Sequence, residues 1–145
     1  MPQKIVKGYR RLLDEALAKI KSLKPADAKA MHGRGDVQFV DLRDVRELQR
    51  EGKISGAFHC PRGMLEFWID PASPYHKPEF AADKTFVFYC ASGWRSALAA
   101  EAAQDMGLKP VAHIDGGFKA WREAGGAVEP PPENPAGKGR PAEKK

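Results

Sequence analysis

Thr85-Phe86-Val87-Phe88-Tyr89 is a continuous apolar run rich in β-formers, and it constrains the fold more than any other stretch of the chain. A half-buried strand alternates apolar and polar residues. This run does not, so it predicts a strand buried on both faces, the kind found in parallel sheets covered by helices. Parallel neighbours must be joined by crossovers, usually helical. The next residues provide one: after Cys90-Ala91-Ser92-Gly93-Trp94, an alanine-rich segment from about Arg95 to Met106 predicts a helix that Gly107 stops.

The same alternation runs through the rest of the chain. Residues 3–23 read as one amphipathic helix, with Ile5, Tyr9, Leu12, Ala16, Ile20 and Leu23 at steps of three and four. Pro25 opens a second, short helix that Gly33 and Gly35 close. Val37 to Asp41 predicts a strand, and Asp44 with Glu47 has the spacing of a capping box for a helix ending at Gly52. Ala57 to Cys60 is a short strand stopped by Pro61, residues 63–69 look helical, and Pro71, Pro74 and Pro78 stiffen a loop. Val111 to Ile114 is the last strand, and Gly116-Gly117 turns into a helix with Phe118 and Trp121 facing the core. The expected fold class is α/β, a small, mostly parallel sheet of about five strands flanked by helices on both faces. The expected organisation is an amphipathic helical extension over 1–24, one domain over 25–129, and a disordered basic tail over 130–145, where almost nothing is apolar.

A chain of 145 residues fits one domain with a core that needs neither disulfides nor metal. Its two cysteines, Cys60 and Cys90, make no metal cluster and no disulfide framework, so a reducing, cytoplasmic setting without cofactor or metal is expected. No apolar run approaches the roughly eighteen residues of a membrane span, and the N-terminus lacks a secretory signal's apolar core. The net charge of +5 is not spread evenly: residues 1–24 carry +5, residues 130–145 carry +2, and the stretch between carries −2. A nucleic-acid-binding core is normally basic itself, so neither nucleic acid nor membrane is expected as a partner.

Cys90 directly follows the central strand. In open α/β sheets ligands gather outside the carboxyl ends of the strands, so the position alone makes Cys90 a candidate nucleophile. Thiolates, the reactive form, are stabilised by helix N-termini and nearby cations. The loop Ala91, Ser92, Gly93, Trp94 can aim backbone N–H groups inward as an anion-binding nest. The following helix adds its positive dipole end, Arg95 a forked cation and Ser96 a hydroxyl. The competing reading is a small buried structural residue beside a helix cap.

Four blocks in the right order resemble the rhodanese-like domain family. Cys90-Ala91-Ser92-Gly93-Trp94-Arg95-Ser96 resembles its active-site loop, and Asp41-Leu42-Arg43 with Glu47 its first block. Gly52 to Ala57, ending at Pro61, resembles the second, and Asp115-Gly116-Gly117-Phe118 with Trp121 the last. The second block departs from the family at Lys53, usually histidine, and at Ser55, usually proline. The resemblance spans about residues 24–129 and implies a sulfurtransferase. Cys90 would take the outer sulfur of thiosulfate or a polysulfide as a persulfide and pass it to cyanide or a thiol, a covalent two-step reaction. The partners implied are a small anionic sulfur donor and a thiol acceptor. The segment from Trp68 to Phe80 resembles an insertion of the polysulfide-sulfurtransferase type.

Other residues carry two readings each. Arg43, Arg46 and Arg62 follow strands on the rim of Cys90 and are candidates for binding the donor, against solvated faces or, for Arg43, pairing with a structural Asp41. Cys60 is a resolving thiol or a buried strand residue. Trp94 walls the site or packs on a neighbouring loop. His59 and His113 read as satisfied core or edge histidines. The apolar stripe of the first helix is covered by its own domain or by a second copy in a homodimer. Two other functions compete. One is a non-catalytic docking module. The other is phosphatase or arsenate chemistry, for which related cell-cycle phosphatases place five residues between cysteine and arginine where this chain has four, Ala91 to Trp94.

Overall fold

The computed structural model describes residues 2–131, 136–137 and 139–140. In chain order the elements are α1 (Tyr9–Lys19), β1 (Lys21–Leu23), α2 (Pro25–Met31), β2 (Val37–Asp41), α3 (Val45–Glu51), β3 (Lys53–Ile54), β4 (Phe58–His59), α4 (Leu65–Ile69), β5 (Thr85–Tyr89), α5 (Trp94–Met106), β6 (Val111–Ile114), α6 (Gly117–Glu123) and β7 (Val128–Glu129). Two-residue strands follow at Ala136–Gly137 and Gly139–Arg140. The rest of the expected 130–145 tail, apart from Pro130 and Pro131, lies outside the described residues.

β5 is the middle strand of a five-stranded sheet of order β1-β6-β5-β2-β4, and every pairing is parallel. Its side chains alternate between two cores. Phe86 and Phe88 join Leu13, Ala16 and the buried alanines of α5 on one face; Val87 and Tyr89 join Phe39, Phe118 and Trp121 on the other. A strand with two apolar faces is thereby accounted for, each buried aromatic contributing about 1.5–3 kcal/mol. β3 and β7 form a separate antiparallel pair beside the sheet.

The leading segment differs from the expected single helix over 3–23. The helix covers only Tyr9–Lys19, Ile20 is already extended, and Lys21–Leu23 is the edge strand β1, parallel to β6. Side-chain steps of three and four continue through this break by coincidence. Ile20 packs in the layer of α1 and α5, whereas Leu23 packs on the opposite face of the sheet. Pro25 contributes, because the residue before a proline is pushed out of helical geometry, and Lys24 is extended. Part of the helix stripe is covered within the chain: Leu13 and Ala16 are buried, while Leu12 and Leu17 stay exposed.

α3 begins with the capping box read from the sequence. The Asp44 carboxylate accepts the Arg46 N–H at 2.8 Å, and Glu47 accepts the Asp44 N–H at 2.9 Å. This places Glu47 in the first turn of α3, at the carboxyl edge of the sheet, where β2 and β5 also end.

Candidate active site

The backbone from Cys90 to Gly93 curls around the Cys90 sulfur because two glycine-dependent contacts hold it there. Gly93 has φ +110, a conformation that side-chain-bearing residues rarely adopt. It lets the chain turn from β5 straight into α5. Behind the loop, Gly117 lies so close that a β-carbon would sit 2.5 Å from the Cys90 carbonyl oxygen and 2.7 Å from that of Ala91. That approach lets the N–H groups of Phe118 and Lys119 bind the Cys90 and Ala91 carbonyls at 2.8 and 3.3 Å. With those carbonyls drawn toward α6, the N–H groups of the loop are left for the sulfur.

One of them reaches it, joined by one from the first turn of α5. Gly93 N donates to Cys90 Sγ at 3.2 Å and Ser96 N at 3.4 Å, and the Ser96 hydroxyl lies 3.7 Å away. Cys90 is only 1% exposed, but the atoms around its sulfur include donors that favour an anion.

Arg95 extends from the first turn of α5 to Glu47, its fork meeting the carboxylate at 2.8 and 3.0 Å. Glu47 holds the guanidinium above its ordinary range, with the Cys90 sulfur adding to the effect; Arg95 in turn holds the Glu47 carboxyl below the usual range. One carboxylate therefore caps α3 and anchors the arginine of the loop. The forked cation expected at Arg95 is present, and in this structure its fork is held by Glu47.

The other arginines are placed differently. Arg43 is fully buried, bonded to Asp41 at 2.8 Å, to the Gly52 carbonyl at 2.6 Å and to Glu51 at 3.1 Å, with its guanidinium over the Phe118 ring. A guanidinium held from all sides cannot meet a donor, so the substrate-binding expectation for Arg43 gives way to its structural alternative. Asp41 also accepts the Tyr89 hydroxyl at 2.6 Å, and burial together with Asp41 raises the Tyr89 phenol. Arg46 is exposed and pairs with Asp44, and Arg62 pairs with Glu66. Among the described residues neither makes a hydrogen bond to the loop, so the structure does not gather them with Cys90.

Trp94 is half exposed at the loop tip, packed against Tyr9 of α1 at 5.2 Å between ring centroids, with the Arg10 guanidinium near both rings. Ala91 and Ser92 border a cleft of about 250 Å³ completed by Glu51, Phe118, Lys119 and Arg122. Of α6, the sequence pattern marks Phe118 and Trp121 as core. Lys119 and Arg122 of the same helix border the loop's cleft, a role that no motif in the sequence marks. Glu47, expected as a cap and as part of the first block, also anchors Arg95. His113, expected as a satisfied core or edge histidine, touches Ser96 directly, Nδ1 to Oγ at 2.9 Å. His59 fits the expected role, its ring nitrogen on the Arg43 carbonyl.

A family model described as the rhodanese-like domain matches residues 24–124. The chain is 26% identical over 100 residues to the mouse thiosulfate sulfurtransferase/rhodanese-like domain-containing protein 3, covering 66% of this chain and 64% of that protein, so it spans less than two thirds of that relative's length. It is 35% identical over 88 residues to the thiosulfate sulfurtransferase GlpE of Shewanella oneidensis, covering 61% of this chain and 78% of that one. A solved structure of a protein of unknown function from Rhodopseudomonas palustris, described as a possible tyrosine phosphatase, is 65% identical with a TM-score of 0.87, covering 89% of this chain and 99% of that one.

Proposed function

The chain belongs to the rhodanese-like domain family, and on that premise we propose that it is a sulfurtransferase whose sulfur carrier is Cys90. The observation that carries this reading is the pair of N–H bonds from Gly93 and Ser96 to the Cys90 sulfur, with the carbonyls of Cys90 and Ala91 drawn away by α6. In the first step the Cys90 thiolate attacks the outer sulfur of thiosulfate or a polysulfide. The new S–S bond forms as the donor's S–S bond breaks, and sulfite or the shortened polysulfide leaves with the electron pair. In the second step cyanide or a thiolate attacks the outer sulfur of the persulfide, and the Cys90 thiolate is released. The inward N–H groups stabilise the thiolate in the first step and the same leaving group in the second. Arg95, Lys119 and Arg122 attract the anionic donor.

A phosphatase is the second reading, favoured by the description of the Rhodopseudomonas palustris structure. A phosphoryl group presents three equatorial oxygens and needs a ring of donors wide enough to take them. Four residues between Cys90 and Arg95, a 1% exposed cysteine and an arginine fork already bound to Glu47 fit a single sulfur atom better. Steady-state kinetics separates the two. Thiosulfate and polysulfide should be turned over with cyanide or thiols, Cys90→Ser should abolish transfer, and Arg95→Ala should weaken anionic donors more than neutral ones. Efficient hydrolysis of an aryl phosphate with no sulfur transfer would overturn the proposal.

A further inference from the structure

Behind Cys90 a line of hydrogen bonds leads away from the loop to the edge of the sheet. Ser96 Oγ lies 3.7 Å from Cys90 Sγ and 2.9 Å from His113 Nδ1, and His113 Nε2 lies 3.0 Å from Ser22 Oγ. Ser96 and His113 are buried, at 0% and 1% exposed, while Ser22 on β1 is exposed. The line thus joins a covered sulfur to solvent through three side chains, each able both to donate and to accept.

A neutral imidazole has one N–H and one bare nitrogen, and here each faces a hydroxyl. Two arrangements therefore satisfy the bonds along the line, the Gly93 carbonyl at 3.3 Å being a side acceptor for the Ser96 hydroxyl. With the proton on Nε2, His113 donates to Ser22 and accepts from Ser96, whose oxygen is then free to accept from a Cys90 S–H. With the proton on Nδ1, His113 donates to Ser96, Ser96 donates to the Cys90 sulfur, and Ser22 donates to Nε2. The first arrangement suits a thiol and the second a thiolate.

We propose that Ser96, His113 and Ser22 form a proton wire that ionises Cys90 and that His113 changes tautomer when it does so. The balance is complete. Ser96 Oγ takes the Cys90 proton and passes its own to Nδ1; Nε2 passes its proton to Ser22, and Ser22 passes its own to water. Only Cys90 and that water change charge, and afterwards every hydroxyl in the line points toward the thiolate. His113 is a positioning residue, acting on the sulfur through Ser96. It remains neutral throughout, consistent with burial holding its imidazole below the usual histidine range against the pull of Asp115. Other charges near the wire are Arg95, in the first turn of α5, and its partner Glu47 on α3. The wire lets the proton leave without crossing the mouth of the loop, where the donor arrives.

This inference rests on Cys90 being the sulfur carrier, but it is measured on ionisation alone. In the full chain with ¹⁵N-labelled histidine, NMR shifts are followed across the pH range in which thiolate absorbance appears. The Nε2–H form of His113 should give way to the Nδ1–H form, with the same midpoint as the absorbance, and the change should vanish in Cys90→Ser. His113→Phe should also slow alkylation of Cys90 at neutral pH about three- to tenfold, the weight of one hydrogen bond. A single tautomer on both sides of the titration, or an imidazolium, overturns the wire even if His113→Phe fails to fold. Persulfide loading is read separately by mass. Loading with a fixed tautomer removes the wire and leaves the sulfurtransferase, whereas tautomer reversal without loading does the opposite.

Discussion

The chain carries two equally buried cysteines, each just past the carboxyl end of a strand of one sheet, and their sulfurs meet different surroundings. Cys60, after β4, sits in the apolar cluster of Leu42, Leu65 and Phe88, and among the described residues its sulfur makes one hydrogen bond, a donation to the Pro61 carbonyl at 3.7 Å. Burial pushes its thiol up to about 12, with Arg62 pulling weakly the other way. Cys90, after β5, receives N–H bonds from Gly93 and Ser96 and has Arg95 beside it. Exposure does not separate the two, since they are 0% and 1% exposed. What separates them is whether the nearest backbone offers carbonyls or N–H groups. That is decided by the two glycines that allow the loop to curl and α6 to bind its carbonyls.

Exchanging the cysteines gives the largest expected effect. Cys90→Ser should lower sulfur transfer by roughly a thousandfold or more, whereas Cys60→Ser should stay within about twofold, measured with thiosulfate and cyanide. Residual transfer in Cys90→Ser that disappears when Cys60 is also changed would reverse the assignment. Next is the loop geometry. Gly117→Ala drives a β-carbon into the Cys90 and Ala91 carbonyls and should lower kcat about a hundredfold, of the order seen when one anion-stabilising donor is lost, while Cys60 stays unreactive. A mutant that folds and transfers sulfur normally would show that α6 does not set the N–H geometry. Glu47→Gln comes third. It frees the Arg95 fork but loosens its position, and should change kcat/KM for anionic donors about tenfold, with little change for a neutral donor. The smallest effect concerns stability. The folded Cys60 thiol keeps its proton up to about 12, whereas the unfolded chain releases it near the ordinary value of 9.0. Its contribution is therefore full below about pH 9 and is lost as pH climbs toward 12. Urea unfolding should weaken over that window in wild type and less steeply in Cys60→Ala, which costs about 1 kcal/mol at neutral pH.

The sequence revealed the sheet more clearly than the site. β5 announced itself because a two-faced strand has no polar positions, and α3 because Asp44 and Glu47 stand three apart at its start. The edge strand β1 was hidden, since Ile20 and Leu23 keep a helical step while packing on opposite faces of the sheet. At the site, Cys90 and its loop were legible from the strand, the glycine and the helix that follow one another. Arg43 could not be told from a rim arginine by sequence, because only the fold brings Gly52, Glu51 and Phe118 around it. His113 and Ser22 meet across the β1–β6 pairing, some ninety residues apart, and no local pattern announces such a meeting.

The most direct test reads both cysteines in one sample. The native chain is treated with thiosulfate or polysulfide, its thiols are trapped by alkylation, and the peptides holding Cys60 and Cys90 are weighed after digestion. One extra sulfur atom on the Cys90 peptide, removed by dithiothreitol, and none on the Cys60 peptide is the predicted result. Sulfur on Cys60, on both peptides alike, or on neither would contradict the account.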